Sequence, residues 1–353
     1  MINKLPLWHP QKFAQRRPYL EVRQKVIGSL RSYFLSQEFA EVETPALQIS
    51  PGNETHLHAF KTEWHDRAGG TPSQTYYLHT SPEFSMKKLL VAGVPKLYQL
   101  SHAYRNGERS SRHHPEFMML EWYRAHVDTR DIMRDCVQLV RAASQAVGRK
   151  LFMANGMTCD PFLEWECLTV GEAFQRYASV DLSITIHNPE NPDFNLLAAQ
   201  APLAGVRVTT GDTWEDLFFR IMGEKIEPHL GKDRPVFLCD YPVSMAALAR
   251  PKPEDTRLAE RFELYICGYE LANAFCELTD VVEQERRFQM DMDKKQELYG
   301  ERYPIDPDFI EALKFGLPPS SGIALGVDRL VMLCAGTENI DDVLWLSVAT
   351  QGS

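Results

Sequence analysis

The sequence has 353 residues, 44% hydrophobic and 24% charged, with a net charge of −10. That is enough chain to bury a sizeable core in one large domain or two ordinary ones. No apolar run reaches the roughly 18 residues of a membrane helix, Met1 to Pro10 hold no apolar signal-peptide segment, and the acidic balance argues against bulk, sequence-independent binding of nucleic acid.

Residues 1–18 read as a polar, Pro-containing arm. From Tyr19, the apolar residues Val22, Val26, Leu30 and Phe34 recur at a spacing that keeps them on one helical face. Phe39 to Glu43 alternates like a strand, and Pro45 ends it. Residues 50–75 are polar and glycine-rich, as loops around a hairpin would be. Tyr76 to His79 reads as a strand, Phe84 to Val91 as a helix, Lys96 to Arg105 as a strand, Asn106 to His114 as a loop, Glu116 to Arg124 as a strand, and Asp128 to Val147 as a helix. Residues 150–235 read as a mainly helical insertion on a body spanning 19–353, with helices near Val170–Tyr177 and Trp214–Ile221. Strand patterning returns over 236–282. Helices follow at Val282–Tyr299 and Asp306–Phe315, and Ser321–Leu325 is a strand running into a helix from Val327. Hairpin-paired strands with helices outside any βαβ alternation predict an α+β fold with an antiparallel sheet. Neither a Rossmann nor a P-loop glycine pattern occurs.

Seven cysteines without a Cys-x-x-Cys pair argue against a disulfide framework or zinc site and fit a reducing cytoplasm. His56, His58 and His65 lack an obvious fourth metal ligand and read as polar loop residues.

The chemistry concentrates in four segments. In the strand 116–124, side-chain alternation places Phe117, Met119, Glu121 and Tyr123 on one face and Met118, Leu120 and Trp122 on the other. The second set is core. The first ends in a carboxylate and a phenol, a face suited to a ligand with ammonium groups and a flat ring; a solvated, half-exposed strand is the plainer alternative. Arg105 ends the preceding strand, where a guanidinium can fork onto phosphate oxygens. Arg329 follows Gly322 and Gly326, glycines that permit close backbone approach. Glu263 and Glu270 flank a turn at Cys267-Gly268 and would face each other across two strands as a hard-oxygen site for Mg²⁺. Glu270 and Asn273 point to opposite faces of a straight strand, so serving one site requires a bulge or a bend.

These segments carry a family resemblance. Thr80-Ser81-Pro82-Glu83, Arg105-Asn106, His113-x-Pro115-Glu116-Phe117, Leu120-Glu121-Trp122-Tyr123-Arg124, Glu270-Leu271-Ala272-Asn273, Glu277-Leu278-Thr279-Asp280 and Ala324-Leu325-Gly326-Val327-Asp328-Arg329 resemble the motifs of a class II lysyl-tRNA synthetase catalytic core. The match is closer still to the elongation factor P–(R)-β-lysine ligase family, paralogues without the anticodon-binding domain, for which no room is expected before Tyr19. The resemblance implies a ligase using ATP and Mg²⁺ to activate (R)-β-lysine as an adenylate and pass it to a lysine ε-amine of elongation factor P. It also implies a cytoplasmic homodimer formed through the first helix and strand, with no stable nucleic-acid binding. A lysyl-tRNA synthetase charging tRNA, or a degenerate regulatory subunit, are the alternatives. By position, Arg105, His113, His114, Phe117, Glu270, Leu271, Gly326 and Arg329 would bind ATP, Arg105 and Arg329 catalytically. Glu263 and Glu270 would carry Mg²⁺. Ser81, Glu83, Glu121, Tyr123, Asn273, Glu277 and Ala324 would bind the amino acid. Ala324 stands where lysyl-tRNA synthetases usually have Gly, a difference associated with the β-amino isomer. Two departures stand out: Gly107 replaces the usual Glu, with Glu108 next, and Ala274 replaces Gly.

Overall fold

The computed structural model describes residues 5–65 and 74–348; the start of the expected arm and part of the glycine-rich stretch 50–75 lie outside them. Helix α1 (Pro10–Ser36) begins at the tenth residue, inside the expected arm. Pro10 takes the first helical position and the His9 ring caps the Gln11 amide. Hydrophobic periodicity missed this turn because its buried residue is Arg16, whose guanidinium donates to the carbonyls of Asp341 and Leu344.

Short strands β1 (Ala40–Glu41) and β2 (Leu47–Gln48) precede the hairpin β3 (Lys61–Trp64) and β4 (Gln74–Leu78). Helix α2 (Glu83–Val91), β5 (Lys96–Tyr104), β6 (Glu116–Ala125) and α3 (Thr129–Ala146) follow the expected order. The insertion opens with strands, not helices: β7 (Phe152–Ala154), β8 (Met157–Cys159) and β9 (Glu166–Thr169). Then come α4 (Val170–Ala173), α5 (Phe194–Gln200) and α6 (Trp214–Ile221) around their own core of Phe174, Leu217 and Phe218. The chain returns through β10 (Val236–Pro242), β11 (Leu258–Ile266), β12 (Tyr269–Cys276), α7 (Val281–Tyr299), α8 (Pro307–Gly316), β13 (Ser320–Gly326), α9 (Val327–Ala335) and α10 (Ile340–Val343).

The main sheet has the order β1-β5-β6-β13-β12-β11-β10-β9. Its six middle strands are antiparallel as expected, but both outer pairs, β1 with β5 and β9 with β10, run parallel. Those two pairings are made by strands far apart in sequence, which a hairpin pattern does not encode.

One sheet face packs on α1, α3 and α9. Phe34 stacks on Tyr98 at 4.2 Å and meets Trp122 edge-on, with Leu120 and Leu139 in the same core. The other face forms the floor of a cleft, with α2, α7 and the insertion around it.

Candidate active site

Pairing register assembles the floor. Glu263 (β11), Asn273 (β12), Ala324 (β13), Glu121 (β6) and Gln99 (β5) stand side by side in one row across five strands. The next row is Arg261, Phe275, Gly322, Tyr123 and Leu97. Direct cross-strand neighbours share a face, so residues from positions 99 to 324 become neighbours. The expected split of β6 is what the structure has: Leu120 and Trp122 lie in the core, while Phe117, Met119, Glu121 and Tyr123 line the cleft. Of the bulge or bend expected before Asn273, the structure has the bulge. Leu264 pairs with Ala272 and Tyr265 with Glu270, which leaves Leu271 without a partner and turns Glu270 to the same cleft as Asn273. As a result Glu270 faces Tyr265 and Glu263 faces Asn273, so the two carboxylates are not the direct pair the turn implied.

One end of the cleft, about 490 Å³ in volume, is cationic. The Arg105 amide donates to the Pro115 carbonyl at 2.9 Å and closes the intervening loop. The Arg105 guanidinium sits 5.2 Å over the Phe117 ring, and its Nε is buried without an acceptor among the described residues. Arg329, in the first turn of α9, donates to the Glu270 carbonyl and to His113 Nε2, each at 2.7 Å. Burial and the Arg329 charge hold the His113 ring below its ordinary pKa, so it is neutral and accepts that bond. Its Nδ1 then donates to Ser110 Oγ at 2.8 Å. Gly107 has φ +84°, a left-handed conformation that favours glycine, and the turn brings Glu108 into the cleft 3.9 Å from Arg105.

The other end is anionic. Ser81 donates to Glu121 at 2.5 Å and Tyr123 to Glu121 at 3.1 Å. Lys87, fully buried, pairs with both Glu83 and Glu277. Two carboxyl groups thus pair with one ammonium, and the Glu121 carboxyl stands beside them with Ser81 and Tyr123 as its donors. Burial, followed by the Glu83 charge, pushes the Glu121 carboxyl up to about 8. Glu277 is likewise raised by burial, against the pull of Lys87. Gly322 is the spacer here, because a Cβ would stand 2.2 Å from the Tyr123 ring and 2.6 Å from Glu277.

Three of the expected site residues are engaged by the protein itself. Glu263, expected as a metal ligand, is occupied: Arg261 and the hydroxyls of Tyr241 and Tyr265 donate to its oxygens. His114, expected at the nucleotide, is buried and has both ring nitrogens engaged, Nδ1 with the Glu116 carbonyl and Nε2 with the Val348 amide. Glu277 lies behind Gly322 and off the cleft wall; the other expected residues, Leu271 and Gly326 among them, line it. His56 and His58 bind Glu215 and Glu301, and no group of three or more metal-ligating side chains occurs among the described residues.

Sequence reasoning overlooked Arg261 and Lys87. Arg261 donates to Glu263 at 2.6 Å and to Asn273 at 3.1 Å, and lies over the Tyr241 ring. Both were legible: Arg261 shares strand parity with Glu263, and Lys87 follows Glu83 by one helical turn.

A family model described as tRNA synthetases class II (D, K and N) matches residues 12–349. The elongation factor P–(R)-β-lysine ligase of Enterobacter sp. (strain 638) is 39% identical over 350 residues, 98% of this chain and 99% of that protein. Proteins of the same name from Salmonella paratyphi B (strain ATCC BAA-1250 / SPB7) and Salmonella schwarzengrund (strain CVM19633) are each 38% identical over the same extent.

Proposed function

Since the chain belongs to the class II tRNA synthetase family (D, K and N), we propose that it is an ATP-dependent ligase. It joins (R)-β-lysine through an adenylate to a lysine ε-amine of elongation factor P. The observation that carries this reading is the polarity of one cleft: guanidiniums of Arg105 and Arg329 at one end, and carboxylates in excess over Lys87 at the other. A polyphosphate fits the first and a diamino acid the second.

In this reading Arg105, whose Nε lacks an acceptor, holds the α-phosphate and stabilises charge gathered there in the transition state. Phe117 lies under the adenine, and Arg329 and His113 take the outer phosphates. Asn273, oriented by Arg261, meets the substrate carboxylate. Glu121 and Tyr123 receive the nearer ammonium; Glu83 and Ser81 complete the pocket, and Glu277 keeps Lys87 charged behind it. Ala324, between Asn273 and Glu121 in the row, narrows the pocket where the two amino-acid isomers differ. Mg²⁺, when bound, neutralises phosphate charge. The free Glu270 carboxyl suits it, whereas Glu263 would first have to release its donors. The same reading makes the protein a cytoplasmic homodimer without stable nucleic-acid binding. No helix among the described residues is long and apolar enough to cross a membrane.

The test is the intact mass of elongation factor P after incubation with this protein, ATP, Mg²⁺ and (R)-β-lysine. The expected result is a gain of one lysyl unit, lost with Arg105→Ala. No gain with folded protein overturns the reading, and charging of a lysine tRNA instead would select a tRNA-synthetase activity.

A further inference from the structure

Nine carboxylates line the cleft. Seven are already tied to the protein, for example Asp328 to Arg23, Glu215 to Lys294 and Asp291 to Thr55. Only the carboxyls of Glu54 and Glu270 carry neither a hydrogen bond nor an ion pair among the described residues. Glu270 suits a cation beside the phosphates. Glu54 is left over, although its loop is held rigidly. Lys295, fully buried, donates to the carbonyls of Thr55 and Leu57 at 2.9 and 2.7 Å. Thr55 Oγ1 donates to Asp291 at 3.1 Å, Asn53 to the Pro304 carbonyl at 3.3 Å, and Thr80 to the Pro51 carbonyl at 2.8 Å. Anchoring a loop on both sides of an unpartnered carboxylate positions that carboxylate.

Its surroundings locate it. Arg105 and Arg261 both act on Glu54, and these two flank the place assigned to the activated carboxyl. Glu83 from α2, and Asp291 and Lys295 from α7, complete its charged neighbours. Glu54 also borders a side pocket of about 20 Å³, room for one water. Enclosure by protein raises its carboxyl above the usual range while water still reaches it through the cleft.

We propose that Glu54 is the general base for the second half-reaction, binding the incoming lysine ammonium and removing its proton. The inference rests on the ligase reading above. Glu54 accepts one proton from the ammonium. The neutral nitrogen then attacks the adenylate carbonyl carbon, forming the C–N bond. As the bond from that carbon to the phosphate oxygen breaks, AMP leaves, and the second nitrogen proton passes to the departing phosphate. The products are one amide and AMP. No oxidant or reductant takes part.

The experiment separates the half-reactions. ATP–pyrophosphate exchange with (R)-β-lysine reports adenylation; rapid-quench transfer from the preformed adenylate to elongation factor P reports the second step. Glu54→Gln is expected to slow transfer about 100-fold or more, at least tenfold beyond any effect on exchange. Glu54→Asp is expected to recover part of the loss. The Gln variant is also expected to lose the acidic limb of the transfer pH profile and to keep accelerating toward the pKa of free lysine, near ~10.4. Transfer by Glu54→Gln at the unmodified rate overturns the proposal, as does an equal fall in both steps. Absence of exchange in the unmodified protein overturns the ligase reading and the proposal with it.

Discussion

Gly322 and Glu121 are where single atoms decide the chemistry. Gly322→Ala would place a methyl on the Tyr123 ring, 2.2 Å away, with no flexible chain end to yield. The expected outcome is a loss of amino-acid affinity of about tenfold or more, the cost of a displaced ring worth over ~1.4 kcal/mol; calorimetric titration with (R)-β-lysine checks it. Glu121 makes a pH prediction. Its carboxyl, at about 8, keeps a proton at neutral pH in the unliganded protein. A cationic ligand selects the ionised form, so binding at pH 7 should release protons and tighten as pH rises toward 8. Titration in buffers of differing ionisation enthalpy reads the release; a buffer-independent enthalpy would contradict it. Most of these residues were legible, because alternation along β6 names its cleft face without a structure. That Lys87 engages Glu277, and that the Glu116 carbonyl and Val348 amide engage His114, was not legible, because chain position does not tell whether a polar side chain reaches solvent or a buried partner.

Among the elements, α1, β6 and α9 meet through one carboxylate. Asp328 pairs with Arg23 of α1 and accepts the Met118 amide of β6 at 2.7 Å. The ion pair is buried on both sides. Asp328→Ala strands a buried guanidinium and an amide, so it should cost about 3–5 kcal/mol, read by urea unfolding. Replacing Arg23 and Asp328 together with apolar residues of similar size should cost less than the sum of the single changes; additive losses would show that the pair does not act as a unit. The bulge at Leu271 has the same standing. Parity showed that it was needed, but only the register of β11 against β12 identifies Leu271 as the extra residue.

Across the whole molecule, the buried carboxyls of the cleft tie the stability of the unliganded fold to pH. Burial raises Glu121 to about 8, Glu270 to about 7 and Asp291 to about 6. These groups are raised above their unfolded values near ~4. The folded state therefore holds more protons, and its stability is lost as pH rises through about 6 to 8. The melting temperature of the unliganded protein should fall from pH 6 to 8.5, and a saturating diamine ligand should flatten the fall. A rise over that range without ligand would contradict the assignment. The insertion enters this balance too, since Glu215 of α6 reaches His56 at 3.2 Å and pairs with Lys294 of α7 beside the cleft.

The sequence by itself determined the helix and strand order, the cleft face of β6, the need for a bulge or bend before Asn273, and the family resemblance. Each of these follows from spacing within a short segment, which the chain carries locally. The tertiary structure decided the parallel outer strands, the start of α1 on a buried arginine, the row that places Ala324 between Asn273 and Glu121, and the donors that occupy Glu263. It also left Glu54 unpartnered on an anchored loop. These depend on which distant segments share a register or a buried volume, and that is set by packing across the whole sheet.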